Sequence, residues 1–129
     1  MELLPEGQKN TTEVSWEDQQ KINEFSKLIG RKDDLEQQLA GQRQEKEYLD
    51  DVALEIELVD EDERLNYKVG DTFVLLKQEQ AVEMLEQDTA AIDAKIEKLE
   101  SADEELDLRL KELKAQLYAR FGTAINLER

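Results

Sequence analysis

The chain has 129 residues, of which 39% are hydrophobic, 5% aromatic and 39% charged. Acidic residues outnumber basic ones 33 to 17, a formal net charge of −16 that repels phosphate backbones and anionic lipid, so nucleic acid and membrane surfaces are poor partners and neither is expected. Cysteine and histidine are both absent, which removes disulfides, thiolate or imidazole metal sites and the usual general base near neutral pH.

Residues 1–13, with Pro5 and Gly7, read as a disordered N-terminal segment. Its opening, MELLPEGQKN, has neither the basic start nor the apolar centre of a secretory signal, and no apolar run reaches the length of a membrane span. The expected compartment is the cytoplasm, with the nucleus as a second one. The ordered region is expected over 14–122, followed by a C-terminal tail at 123–129.

Ser15 with Asp18 three positions on marks a helix start. From Trp16 the chain stays compatible with helix to about Asp62. A seam at alternating spacings of four and three runs through Leu28, Lys32, Leu35, Leu39, Gln42, Lys46, Leu49, Ala53 and Ile56, apolar at all but Lys32, Gln42 and Lys46. Ile22, Phe25 and Ile29 fall slightly out of phase, as a stutter produces. Gly30 and Gly41 predict local softness, each costing about 1 kcal/mol against Ala inside a helix. The acidic run Asp60 to Glu63 lacks the spacing of a calcium loop and reads as a solvated connector.

Next comes RLNYKVGDTFVLLK, Arg64 to Lys77, rich in residues that favour strands. Gly70-Asp71 is a good two-residue hairpin loop. It predicts the pairs Val69 with Thr72, Tyr67 with Val74, and Leu65 with Leu76, all on one face. A lone hairpin is marginal in water and has two open edges. The tips of the arms can cover little of it, so strands from other chains are the favoured cover. Subunit-interface candidates are Leu65, Tyr67, Val69, Phe73, Val74 and Leu76.

A second helix is predicted from about Gln78 to Arg120, with Gly122 as its C-terminal cap. Its seam is Val82, Leu85, Thr89, Ile92, Ile96, Leu99, Asp103, Leu106, Leu110, Leu113 and Leu117, apolar at all but Thr89 and Asp103. The fold class is therefore mainly α: a long antiparallel two-helix coiled coil with one central β-hairpin. Facing residues should have numbers summing to about 138–145, and one register in that window sets Gln42 opposite Asp103.

Three segments, EDQQKINEFSKL, YKVGDTFV and LYARFGTAINLE, together with the order helix, hairpin, helix, resemble the β-class subunits of the prefoldin family over nearly the whole chain. The resemblance implies a hexamer of two α-class and four β-class subunits whose hairpins join into an intersubunit β-barrel. It implies ATP-independent capture of unfolded polypeptides, actin and tubulin chains above all, and delivery to the cytosolic chaperonin. No cofactor, metal or catalytic residue is implied.

If the hairpin builds the platform, client contact falls to the chain ends. The unfolded-client candidates are Val14, Trp16, Ile22, Phe25, Leu117, Phe121, Ile125 and Leu127. Phe25, Leu117 and Phe121 continue the seam and read first as closing layers of the coil. Trp16, Ile125 and Leu127 lie beyond it and are the better binding candidates. The alternative is a structural coiled-coil tether or scaffold, which shares the seam without the platform. An enzyme is disfavoured because a pair of helices cannot enclose a substrate.

Overall fold

The structure, a computed structural model, describes residues 2–3 and 13–128. The elements in chain order are β1 (Glu2–Leu3), α1 (Trp16–Glu57), β2 (Arg64–Val69), β3 (Thr72–Lys77), α2 (Gln78–Phe121), a 3-10 turn (Gly122–Ala124) and β4 (Ile125–Asn126). They form two units: Met1–Gln37 with Ser101–Arg129, and Gln38–Glu100.

Local chemistry accounts for the helix ends. At the start of α1 the Ser15 N–H donates to Asp18 Oδ2 at 3.0 Å and the Asp18 N–H donates to Ser15 Oγ at 3.1 Å. This reciprocal capping satisfies two otherwise orphaned donors. α1 stops at Glu57, short of the predicted Asp62. The acidic residues Asp60 to Glu63 would meet the negative end of the helix dipole, so continuing the helix is unfavourable. The last turn tightens instead, with Leu58 N–H donating to the Glu55 carbonyl at 3.1 Å. The Gln78 side chain donates to the Ile56 carbonyl at 2.9 Å and closes that end. α2 begins with Lys77 N–H donating to Gln80 Oε1 at 3.2 Å. It ends at Gly122, whose φ of 58° is open to glycine at no steric cost.

In the unit holding both chain ends, the helix segments run antiparallel around Phe25, Leu106, Leu110, Leu113, Leu117 and Phe121. Charged pairs flank this core. Arg109 makes two hydrogen bonds to Glu24, at 2.6 and 2.7 Å, and Arg120 Nε donates to Asp18 at 2.9 Å. Lys32 reaches Asp107 at 2.6 Å and Asp103 at 3.3 Å. A polar layer is present at the seam as expected, but Asp103 takes Lys32 and not Gln42. The apolar layers around Phe25 and Leu110 fix that alignment, because shifting it would expose them.

The disordered segment expected over 1–13 does not hold at Glu2–Leu3, which pair antiparallel with Ile125 and Asn126. The backbone of β4 offers an edge that β1 satisfies. Residues 4–12 lie outside the described residues. Within the tail expected at 123–129, the described residues fold back: Ala124, Ile125 and Leu127 are buried in the core of this unit.

In the other unit, β2 and β3 pair in the predicted register, Val69 with Thr72, Tyr67 with Val74, and Leu65 with Leu76. Gly70 carries the turn at φ 62°. The core here is Val52, Ile56, Tyr67 and Ala81, flanked by Leu65, Leu76, Met84 and Leu85. Ala81 is fully buried, while the predicted seam residue Val82 is exposed. The Tyr67 ring needs a small neighbour at the start of α2, and Ala81 supplies it. Elsewhere the seam positions are buried or half-buried as the heptads require.

Candidate functional site

The hairpin presents two unlike faces because side chains alternate along a strand. One face packs on the chain's own helices. Tyr67 is only 2% exposed there, and its hydroxyl donates to Asp88 at 2.7 Å. Burial, and then that hydrogen bond, push the Tyr67 phenol well above its ordinary value. Leu65 and Leu76 are half-buried beside it. These three interface candidates are therefore committed within the chain. The assumption that helix ends cover little of the hairpin is corrected, since Val52, Ile56 and Ala81 cover the half of it nearest them.

The opposite face is open, with Phe73 and Leu75 each 61% exposed, while on the Tyr67 face Val69 and Val74 are exposed nearer the turn, beyond the cover of the helices. Leu75 shares this face with the candidate Phe73 and was not among the interface candidates. Its signal was the alternation Phe73, Leu75 on a strand whose neighbours carry Lys68 and Asn66. Leu54 and Leu58, at 62% and 85% exposure, add apolar surface in the same unit and also went unmarked. The β2–β3 sheet has two strands, so each has one edge without a strand neighbour among the described residues. A groove of about 500 Å³ separates the turn from the helices, lined by Tyr48, Lys68, Asp88, Ile92 and Lys95.

The chain-end unit sorts the client candidates by burial. Trp16 is 75% exposed and Val14 is exposed beside it. Ile22 is half-buried. Phe25, Leu117 and Phe121 are buried coil layers. Ile125 and Leu127, expected to be free, are 4% and 3% exposed. Each sits on the inward side of an extended segment, where the helix pair offers uncovered Leu and Phe side chains, so folding back removes both from water.

Polar bonds hold this end together. Asp18 accepts from Ser15 and Arg120, and these bonds, the Ser15 backbone one first, keep its carboxyl below the usual value. Arg120 also donates to the Glu13 carbonyl at 3.1 Å, fixing the approach to Trp16. The Leu127 N–H donates to the Tyr118 hydroxyl at 3.1 Å, and Lys114 pairs with Glu128 at 2.9 Å. Among the described residues, no group of acidic side chains is arranged to hold a metal ion, and no helix is long and apolar enough to cross a membrane.

A family model described as prefoldin subunit matches residues 19–124. The chain is 62% identical over 129 residues to prefoldin subunit 4 of Saccharomyces cerevisiae, covering 100% of both chains. It is 39% identical over 116 residues to prefoldin subunit 4 of Homo sapiens, covering 89% of this chain and 87% of that one. Among solved structures, the prefoldin beta subunit from Thermococcus strain KS-1 superposes with a TM-score of 0.76. That match covers 87% of this chain and 98% of the other at 20% identity, a likeness of fold. Two capped helices, a single hairpin between them, the family model over residues 19–124 and the 62% identity to the yeast relative along the whole chain agree: the chain belongs to the prefoldin family of chaperone subunits.

Proposed function

We propose that the chain is one of the β-class subunits of a heterohexamer, two α-class and four β-class, that captures unfolded polypeptides without ATP. Its clients are chains of the actin and tubulin type, handed on to the cytosolic chaperonin, and the setting is the cytoplasm with the nucleus as a second compartment. The reading contains no catalytic step. The observation that carries it is the indole of Trp16, three-quarters exposed at the start of a well-capped helix. A large apolar group kept in water by a rigid cap is ready to bury against an unfolded chain, gaining about 1.5–3 kcal/mol per contact. Several subunits acting together convert such weak contacts into holding by avidity. The open face with Phe73 and Leu75 supports strand pairing with sister subunits, because an uncovered two-stranded sheet is marginal by itself.

The test is reconstitution. Mixing the chain with the other subunits and weighing the product by native mass spectrometry should give a six-chain complex that suppresses aggregation of denatured actin. Trp16→Ser together with Val14→Ser should leave the mass unchanged and weaken suppression by several-fold. A complex that never forms, or one that forms and never slows aggregation, overturns the reading.

A further inference from the structure

Residues 122–128 fold back along the helix pair of the chain-end unit. Ile125 is extended, at φ −133° and ψ 143°, and the side chains then alternate. Ile125 and Leu127 are buried while Asn126 and Glu128 are exposed. Beside Leu127 lies a groove of about 510 Å³, lined by Phe25, Ile29 and Leu110 and by charged side chains of both signs, Lys114 and Asp107 among them.

We infer that residues 122–128 are a built-in stand-in for a client, and that an extended apolar segment of an unfolded polypeptide takes their place along Phe25, Leu110 and Tyr118. The inference rests on the capture reading above and names the surface and the sequence pattern it takes. That pattern is apolar at two alternate positions followed by a carboxylate, as Ile125, Leu127 and Glu128 are now arranged. The carboxylate meets Lys114, and the backbone N–H of the second apolar residue meets the Tyr118 hydroxyl. The tail keeps Phe25 and Leu110 covered when no client is present, which stops an exposed apolar surface from seeding association. Its displacement also parts β4 from β1.

The experiment uses the reconstituted complex with this chain ending at Phe121. The probe is a fluorescein-labelled peptide of sequence GTAINLE. It should bind the shortened complex saturably and the full-length complex at least about tenfold more weakly, since a covered site reduces apparent affinity by the fraction open. The same peptide with Ile125→Asp and Leu127→Asp should not bind, and denatured actin should displace the bound one. Equal binding to both complexes, or none to the shortened one, overturns the inference.

Should the shortened chain fail to assemble, Leu127→Ala in the full chain weakens the tail and leaves Phe25, Leu110 and Tyr118 unchanged. Losing that buried apolar contact should raise the open fraction at least about tenfold. Tail amides should then exchange faster, and the peptide and denatured actin should both bind more tightly. Faster exchange with unchanged binding overturns the inference. Wild-type capture that is present but indifferent to the tail overturns this inference alone, whereas absence of wild-type capture overturns the capture reading itself.

Discussion

Tyr67 joins three roles in one side chain: a hairpin position, the centre of a small core and a hydrogen-bond donor to Asp88. Tyr67→Phe should lower stability by about 1 kcal/mol, because the Asp88 carboxylate loses a donor. Chemical denaturation checks it. The same residue predicts alkaline sensitivity. Its phenol titrates above the ordinary value of 10.0 in the folded chain, so the folded state retains the proton longer than the unfolded one. Stability from this source is full below that value and is lost as pH rises above it, and Tyr67→Phe should flatten the loss. Glu24 works in the opposite direction. The hydrogen bonds from Arg109 hold it below its ordinary 4.5, so its contribution is present above that pH and fades as pH falls further. Arg109→Gln should reduce that acid dependence in a denaturation series. Ser15 and Asp18 were legible as a cap because three residues suffice to define one. The bond of Asp18 to Arg120 was not, because it joins positions 102 apart.

The hairpin is the element whose reading changed most. Its turn, strand pairs and register follow from Gly70-Asp71 and from alternation, all within a dozen residues. Which face is covered depends on where Val52, Ile56 and Ala81 lie in space, and that is not local information. The open face is the one bearing Phe73 and Leu75. Phe73→Glu with Leu75→Glu should block assembly while leaving helix content unchanged, as read by native mass spectrometry and circular dichroism. Tyr67→Glu should instead unfold the hairpin unit, since it places a charge in a core with no partner for it. Finding that the first pair assembles normally would move the joint elsewhere. In the helices, Gly30 and Gly41 have open space where a Cβ would sit. Replacing either with Ala should stabilise by about 0.5–1 kcal/mol, seen as a rise in melting temperature.

At the scale of the molecule, a net charge of −16 and a modest share of apolar residues leave little to build a thick core. The apolar side chains serve instead as thin seams and as patches that await a partner. A single chain should therefore hold clients weakly, and the assembled complex far more strongly, by avidity and not by new contacts. Titrating denatured actin against the isolated chain and against the complex checks this, and equal suppression per chain would count against multisite holding.

Two long helices, the Ser15 and Gly122 caps, the intervening hairpin and its register follow from the sequence by itself, because each rests on a short-range pattern: a period, a turn pair or a capping residue. The tertiary structure alone decided that Asp103 faces Lys32, that Ala81 replaces Val82 in the seam, that Tyr67 turns inward, and that Ile125 and Leu127 return to the core. Each of these depends on which distant surfaces compete for the same apolar side chain, and water decides that competition by the area each arrangement removes from contact with it.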